Sequence, residues 1–147
     1  MNNSNQEYLD YIEKNSPKSK LWRNMLLAFL VGGGICTIGQ GIGDMYEKVW
    51  GLNEESVKNA VPITMIFLGA LFTGFNLYHK LAKFAGAGTL VPITGFANAV
   101  VSPAIEFKKE GYILGVAAKM FTIAGPVLVY GINAAIAVGM LGYLMGY

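Results

Sequence analysis

Residues 84–103 read Phe-Ala-Gly-Ala-Gly-Thr-Leu-Val-Pro-Ile-Thr-Gly-Phe-Ala-Asn-Ala-Val-Val-Ser-Pro. They belong to a run of 22 residues, from Lys83 to Glu106, that carries no charge. Gly86, Gly88, Pro92, Gly95 and Pro103 punctuate it. A plain spanning helix has no use for that punctuation. Irregular backbone at membrane depth is tolerated only where it is buried in protein or lines a watery cavity. The stretch therefore predicts two short helices around a break at Pro92 and Gly95, entering the bilayer and returning. The competing reading is one kinked helix that spans.

Working outward, the same absence of charge recurs. Twenty uncharged residues separate Arg23 from Asp44, and 20 separate Lys58 from the lone histidine, His79. Eight separate Glu110 from Lys119, and 28 run from Met120 to the end. Only 14% of the 147 residues are charged, about half the share of an ordinary soluble domain. A bilayer core is about 30 Å thick and takes about 20 apolar residues per helix. The fold class that follows is all-α: a multi-pass integral membrane protein of three to four spans, with discontinuous or re-entrant helices.

The expected organisation is a polar cytoplasmic tail over 1–20 and a membrane domain over 21–147. Within the tail, Gln6 to Lys14 predicts a short helix with Tyr8, Leu9 and Ile12 on one side, stopped by Asn15-Ser16-Pro17. Acidic residues at 7, 10 and 13 argue against a secretory leader. Spans are expected at about 21–43 and 59–78, with a net-acidic loop between Asp44 and Lys58 and with Pro62 in the first turn of the second span. The segments 84–105 and 111–123 are expected to be broken, and a last span to run over 126–145. Gly125 and Pro126 mark the second break, because proline removes a backbone donor and clashes with the preceding turn. Gly95-Phe-Ala-Asn98-Ala and Gly131-Ile-Asn133-Ala form a faint echo, and paired interrupted segments point to a transport site. Gly131, Ala135 and Gly139 make a small-residue stripe suited to close helix packing.

Lys14, Lys18, Lys20 and Arg23 precede the first span, so the N-terminus is expected to be cytoplasmic. Lys80, Lys83, Lys108 and Lys109 fall on the same side if 84–105 re-enters.

Several function classes have no residues to support them. Net charge is +2 and no basic block exceeds two adjacent residues, which argues against nucleic acid. One histidine and one cysteine cannot make a metal cluster, and no cofactor is expected. Cys36 reads as a small buried hydrophobe and His79 as a polar residue at the membrane edge. Ser102 is the one serine after Ser56 and has no histidine near it in sequence, so an enzyme is not expected.

Three stretches resemble a known family. Residues 84–103, quoted above, are similar to the central motif of the SpoVA sporulation membrane proteins. So is Phe-Leu-Val-Gly-Gly-Gly-Ile-Cys-Thr-Ile-Gly-Gln at 29–40. Leu-Gly-Val-Ala-Ala-Lys-Met-Phe-Thr-Ile-Ala-Gly-Pro-Val at 114–127 resembles the AC branch of that family rather than the shorter AEB branch. The resemblance runs from about Tyr8 to the C-terminus. It implies a multi-pass protein of the spore (forespore) inner membrane. Such a protein works with other SpoVA subunits in moving dipicolinic acid, with its calcium, during sporulation and germination. Self-association and membrane lipid are further expected partners.

Dipicolinate is a small planar dianion, and a path for it needs positive potential without a deep trap. Half-helix N-termini and one or two lysines can supply that. Lys119, the one charge in the last 37 residues, reads either as an anion contact or as a lysine snorkelling to the near headgroups. Thr94, Asn98, Thr122, Asn133 and Gln40 offer neutral hydrogen bonds to carboxylates, or equally to neighbouring helices.

Overall fold

The computed structural model describes residues 2–15 and 20–146. Those residues form helices and no strand. The first helix, α1 (Asn2–Asn15), includes the predicted tail helix, with Tyr8, Leu9 and Ile12 exposed. The predicted stop at Asn15-Ser16-Pro17 lies mostly outside the described residues.

Helix α2 (Leu21–Lys48) is 28 residues long and α3 (Glu54–Gly74) is 21. Both are longer at the far end of the bilayer than the apolar runs suggested, and the expected loop 44–58 shrinks to residues 49–53. The reason is side-chain pairing along the helix. Asp44 accepts from Gln40 Nε2 at 2.8 Å and from Lys48 Nζ at 3.0 Å, which supports an extra turn of α2 outside the hydrocarbon. Asn53 Oδ1 accepts from the Ser56 amide at 2.9 Å and caps α3, with Glu54 and Glu55 in its first turn. Pro62 therefore lies in the interior of α3 and not in its first turn.

The two helices run antiparallel. Gly43 is buried against Val57 and Val61, and Gly39 lies against Met65. Tyr46 and Thr64 share a 2.7 Å hydroxyl–hydroxyl bond across the pair. The expected span 59–78 ends early, because Asn76 takes a left-handed φ of 56° that stops α3. Asparagine is among the few side chains that tolerate this.

A new helix, α4 (Tyr78–Ala85), then turns inward. Tyr78 and Ala85 are buried, while His79, Lys80 and Lys83 point out. Gly86, at φ 52°, ends α4 and starts the four-residue α5 (Ala87–Leu90). Pro92 is extended (ψ 157°) and precedes α6 (Ile93–Glu106). α6 lies beside α3 and runs in the same direction: Gly69 meets Thr94, and four residues on, Thr73 meets Asn98. The chain thus leaves α3 on one side, dips in through α4 and α5, and returns on that side through α6. The discontinuity falls at Gly86 and at Val91–Pro92, while Gly95 sits in the first turn of α6.

A 3₁₀ turn (Phe107–Glu110) and a π-helical turn (Tyr112–Ala117) lead into α7 (Ala118–Leu144). The break expected at Gly125 and Pro126 is absent: α7 winds straight through both, and 111–123 is not a separate half-helix. Proline's missing donor is tolerable here because the bilayer favours an otherwise complete helix. The echo between 95–99 and 131–134 is consequently no structural repeat. Three helical stretches are long and apolar enough to span: Leu21–Lys48, Glu54–Gly74 and Tyr112–Leu144.

Candidate functional site

The hairpin of α4, α5 and α6 is wedged between α2 and α3 by backbone contact. A Cβ on Gly88 would stand 2.8 Å from Ala28 Cα and closer still to Ala28 O. A Cβ on Gly69 would stand 2.9 Å from Thr94 O. Gly95 likewise seats directly on the carbonyl of Thr89. Any side chain at these positions would push the hairpin off its neighbours, so the glycines of the quoted stretch are spent on approach.

A hydrogen-bonded lock closes the two arms of the hairpin. Tyr78 Oη donates to Thr89 O at 2.8 Å and lies 2.9 Å from Thr94 Oγ1. A phenol has one proton. It goes to the carbonyl, so the Thr94 hydroxyl is the donor to Tyr78. Thr89 is fully buried, and its hydroxyl bonds Gly86 O at 2.9 Å. Among the described residues no buried side-chain polar atom lacks a partner. One turn along α6, Asn98 Oδ1 lies 3.0 Å from Thr73 Oγ1 and 3.4 Å from Ser102 Oγ.

Above the lock is a cavity of about 310 Å³ between α2, α3, α4 and α6. Ile35, Ile38, Leu68, Phe72 and Leu81 wall it almost wholly in carbon. A second hollow of about 350 Å³ opens where the start of α2 meets α4 and α5. It combines Asn24 and Lys83 with Leu21, Met25 and Phe84, an amphipathic lining with a cation at its edge.

The structure brings together only two of the expected path residues, Thr94 and Asn98, and it uses both for helix-to-helix bonding. Gln40 is exposed and bonds Asp44 of its own helix, so it faces no other described helix of this chain. Thr122 Oγ1 donates back to Ala118 O at 2.8 Å, and Asn133 Nδ2 to Val129 O at 2.9 Å. Lys119 folds toward the α6–α7 connection, its Nζ 4.0 Å from the centre of the Phe107 ring, a cation–π contact. Cys36 is exposed rather than buried. Tyr78 and Thr89, which hold the hairpin, were missed, as was the Asn24–Lys83 hollow. Tyr78 was counted as the last residue of a span. The signal for its role was Asn76, a left-handed-tolerant residue two positions earlier.

Both ends of the molecule have a charge character. Arg23, Lys80, Lys83, Lys108 and Lys109 outnumber Glu106 and Glu110 at the end where the hairpin opens, and Asp44, Glu47, Glu54 and Glu55 outnumber Lys48 and Lys58 at the other.

Three helices long and apolar enough to span, around a shorter, discontinuous hairpin, define a multi-pass membrane protein. Residues 24–141 match the SpoVAC/SpoVAEB sporulation membrane protein family. The chain is 45% identical over 143 residues to stage V sporulation protein AC of Bacillus subtilis (strain 168), covering 97% of this chain and 95% of that one. The chain belongs to this family of sporulation membrane proteins. No solved structure matches it.

Proposed function

We propose that the chain is a membrane subunit of a SpoVA-type channel that passes dipicolinic acid, with its calcium, across the spore inner membrane in sporulation and germination. The observation that carries this reading is the discontinuous hairpin, seated on α2 and α3 through Tyr78, Gly88, Thr89 and Thr94, that opens at the basic end. Family resemblance supplies the permeant, and the hairpin is the kind of element that lines a path in transporters and channels. The positive-inside bias puts that basic end, and the N-terminus, in the cytoplasm. A planar aromatic dianion suits the Asn24–Lys83 hollow, where carbon flanks the ring and a cation meets a carboxylate. Lys119, held near the same end by Phe107, adds positive potential there. The chain acts without catalysis and in company with other SpoVA subunits.

A second reading is a non-conducting assembly subunit. The carbon-walled cavity favours it, since a dianion does not cross such a surface. On either reading the polar route lies between subunits. The deciding experiment loads dipicolinate into liposomes holding the purified chain, alone and with its partner subunits. Release that needs this chain, and slows when Lys83 and Lys119 are neutralised, supports conduction. Equal release from partners alone overturns it.

A further inference from the structure

The outer part of α7 carries two polar side chains that the chain itself leaves exposed, Tyr130 and Asn133. From Pro126 to Leu141 every residue is exposed. Between Thr122 and Tyr143 the polar side chains are Tyr130 and Asn133. Asn133 lies ten residues before Tyr143, an aromatic placed to sit at the interface. Ten residues of helix are about 15 Å, the half-thickness of the hydrocarbon core, so Asn133 is at mid-bilayer. A carboxamide offers two N–H donors and an accepting oxygen. One donor is used on Val129 O. Among the described residues nothing bonds the second donor or Oδ1. Lipid tails cannot do so, and a polar group facing hydrocarbon is unfavourable by a few kcal/mol (about 2–7).

We propose that Asn133 is the centre of an interface between two copies of this chain, with α7 packed against α7 across a two-fold axis. The carboxamide is complementary to itself. In a symmetric pair each Nδ2 keeps its bond to Val129 O and gives its second hydrogen to the partner's Asn133 Oδ1. All four groups are satisfied by one residue type, which is what an isologous contact requires. The face is free for it. Half-buried Ile123, Ala124 and Gly125 mark the side of α7 turned to α6. Gly131, Ala135 and Gly142 continue that side at seven- and four-residue spacing from Ala124. Asn133, two residues from Gly131, is about 200° around the helix, with Tyr130, Ala137 and Met140 beside it. This names a partner for the subunit proposed above, yet it is tested without any permeant.

The test uses the full chain in membranes, in a Cys36→Ala background, as two differently tagged copies. Single cysteines are placed by Asn133→Cys, Ala137→Cys and Met140→Cys, and on the other side by Gly131→Cys and Ala135→Cys. Mild oxidation is expected to join the two tags at least fivefold more through the Asn133 side. Self-association in liposomes, read by energy transfer, should fall about ten- to hundredfold in Asn133→Leu, the factor that the two intramembrane hydrogen bonds of the symmetric pair supply. Asn133→Gln, which keeps both chemistries, should stay within about twofold. Equal joining from both sides, no joining, joining only to a different protein, or wild-type association of Asn133→Leu each overturns the pairing. Dipicolinate flux is measured separately, so loss of flux with the pair intact falls on the channel reading and not on this one.

Discussion

The re-entrant hairpin and the outer half of α7 are built from the same residue types and behave in opposite ways. Both are uncharged and rich in glycine. In the hairpin Gly88 and Gly95 touch backbone, and Thr89 is fully buried. In α7 a Cβ on Gly125, Gly131, Gly139 or Gly142 would meet nothing within 4 Å. Glycine content at membrane depth therefore signals close approach only where another element of the chain lies against it, as at Gly69 of α3 and Gly43 of α2. On the outer half of α7, where none does, it leaves a smooth surface whose neighbour, if it has one, comes from another chain.

The largest effect should come from filling the hairpin contact. Gly88→Leu is expected to destabilise the purified chain by about 3 kcal/mol or more, because the clash is with the backbone of α2. Gly131→Leu should stay within about 0.5 kcal/mol in the same unfolding measurement in detergent. Similar losses in both would erase the distinction between the two regions.

Next is the lock. Tyr78→Phe leaves Thr89 O without its donor and Thr94 without its acceptor in a buried place. The expected loss is about 1–3 kcal/mol, seen as a lower unfolding temperature. An unchanged melting curve would mean that packing at the glycines alone holds the hairpin.

Smaller effects are expected at the lysines. On the proposed channel reading, Lys119→Arg should retain most dipicolinate movement, Lys119→Gln should slow it, and Lys119→Glu should be slowest, since charge attracts the dianion. The readout is dipicolinate content of spores and its release rate at matched protein level. Wild-type flux from Lys119→Gln would reduce the residue to an anchor resting on Phe107. Lys83→Gln should give the mildest change, a modest slowing relieved at high salt, because Lys83 is exposed and screened.

Much of the architecture was legible because lipid restricts the options. Charge-free runs marked the spans, and Pro92 together with the dense glycines marked a discontinuous third segment. The limits of α2 and α3 were misread because the apolar run ends before the helix does. The pairing of Asp44 with Gln40 and Lys48 continues α2 in a polar setting. Pro126 misled for the opposite reason: a proline in a bilayer helix loses one bond, and unwinding there would expose several more. The site was less legible. Thr94 and Asn98 stood out as polar residues in an uncharged run, but with the break expected across Pro92 and Gly95 the sequence left open that both sit on α6. Nothing in spacing alone revealed that Tyr78, 16 residues before Thr94, would reach it.

The same-side return of α6 has a consequence for how the protein is made. The hairpin has no seat of its own: α5 rests on α2 and α6 on α3. Segments 78–85 and 87–90 are too short to cross a bilayer by themselves. During synthesis α2 and α3 must be side by side in the membrane before the hairpin can be drawn in and sealed by Tyr78. Maturation thus has two stages, insertion of spans and then docking of the wedge. A chain caught between them would expose an unsealed cleft to lipid and to quality-control proteases.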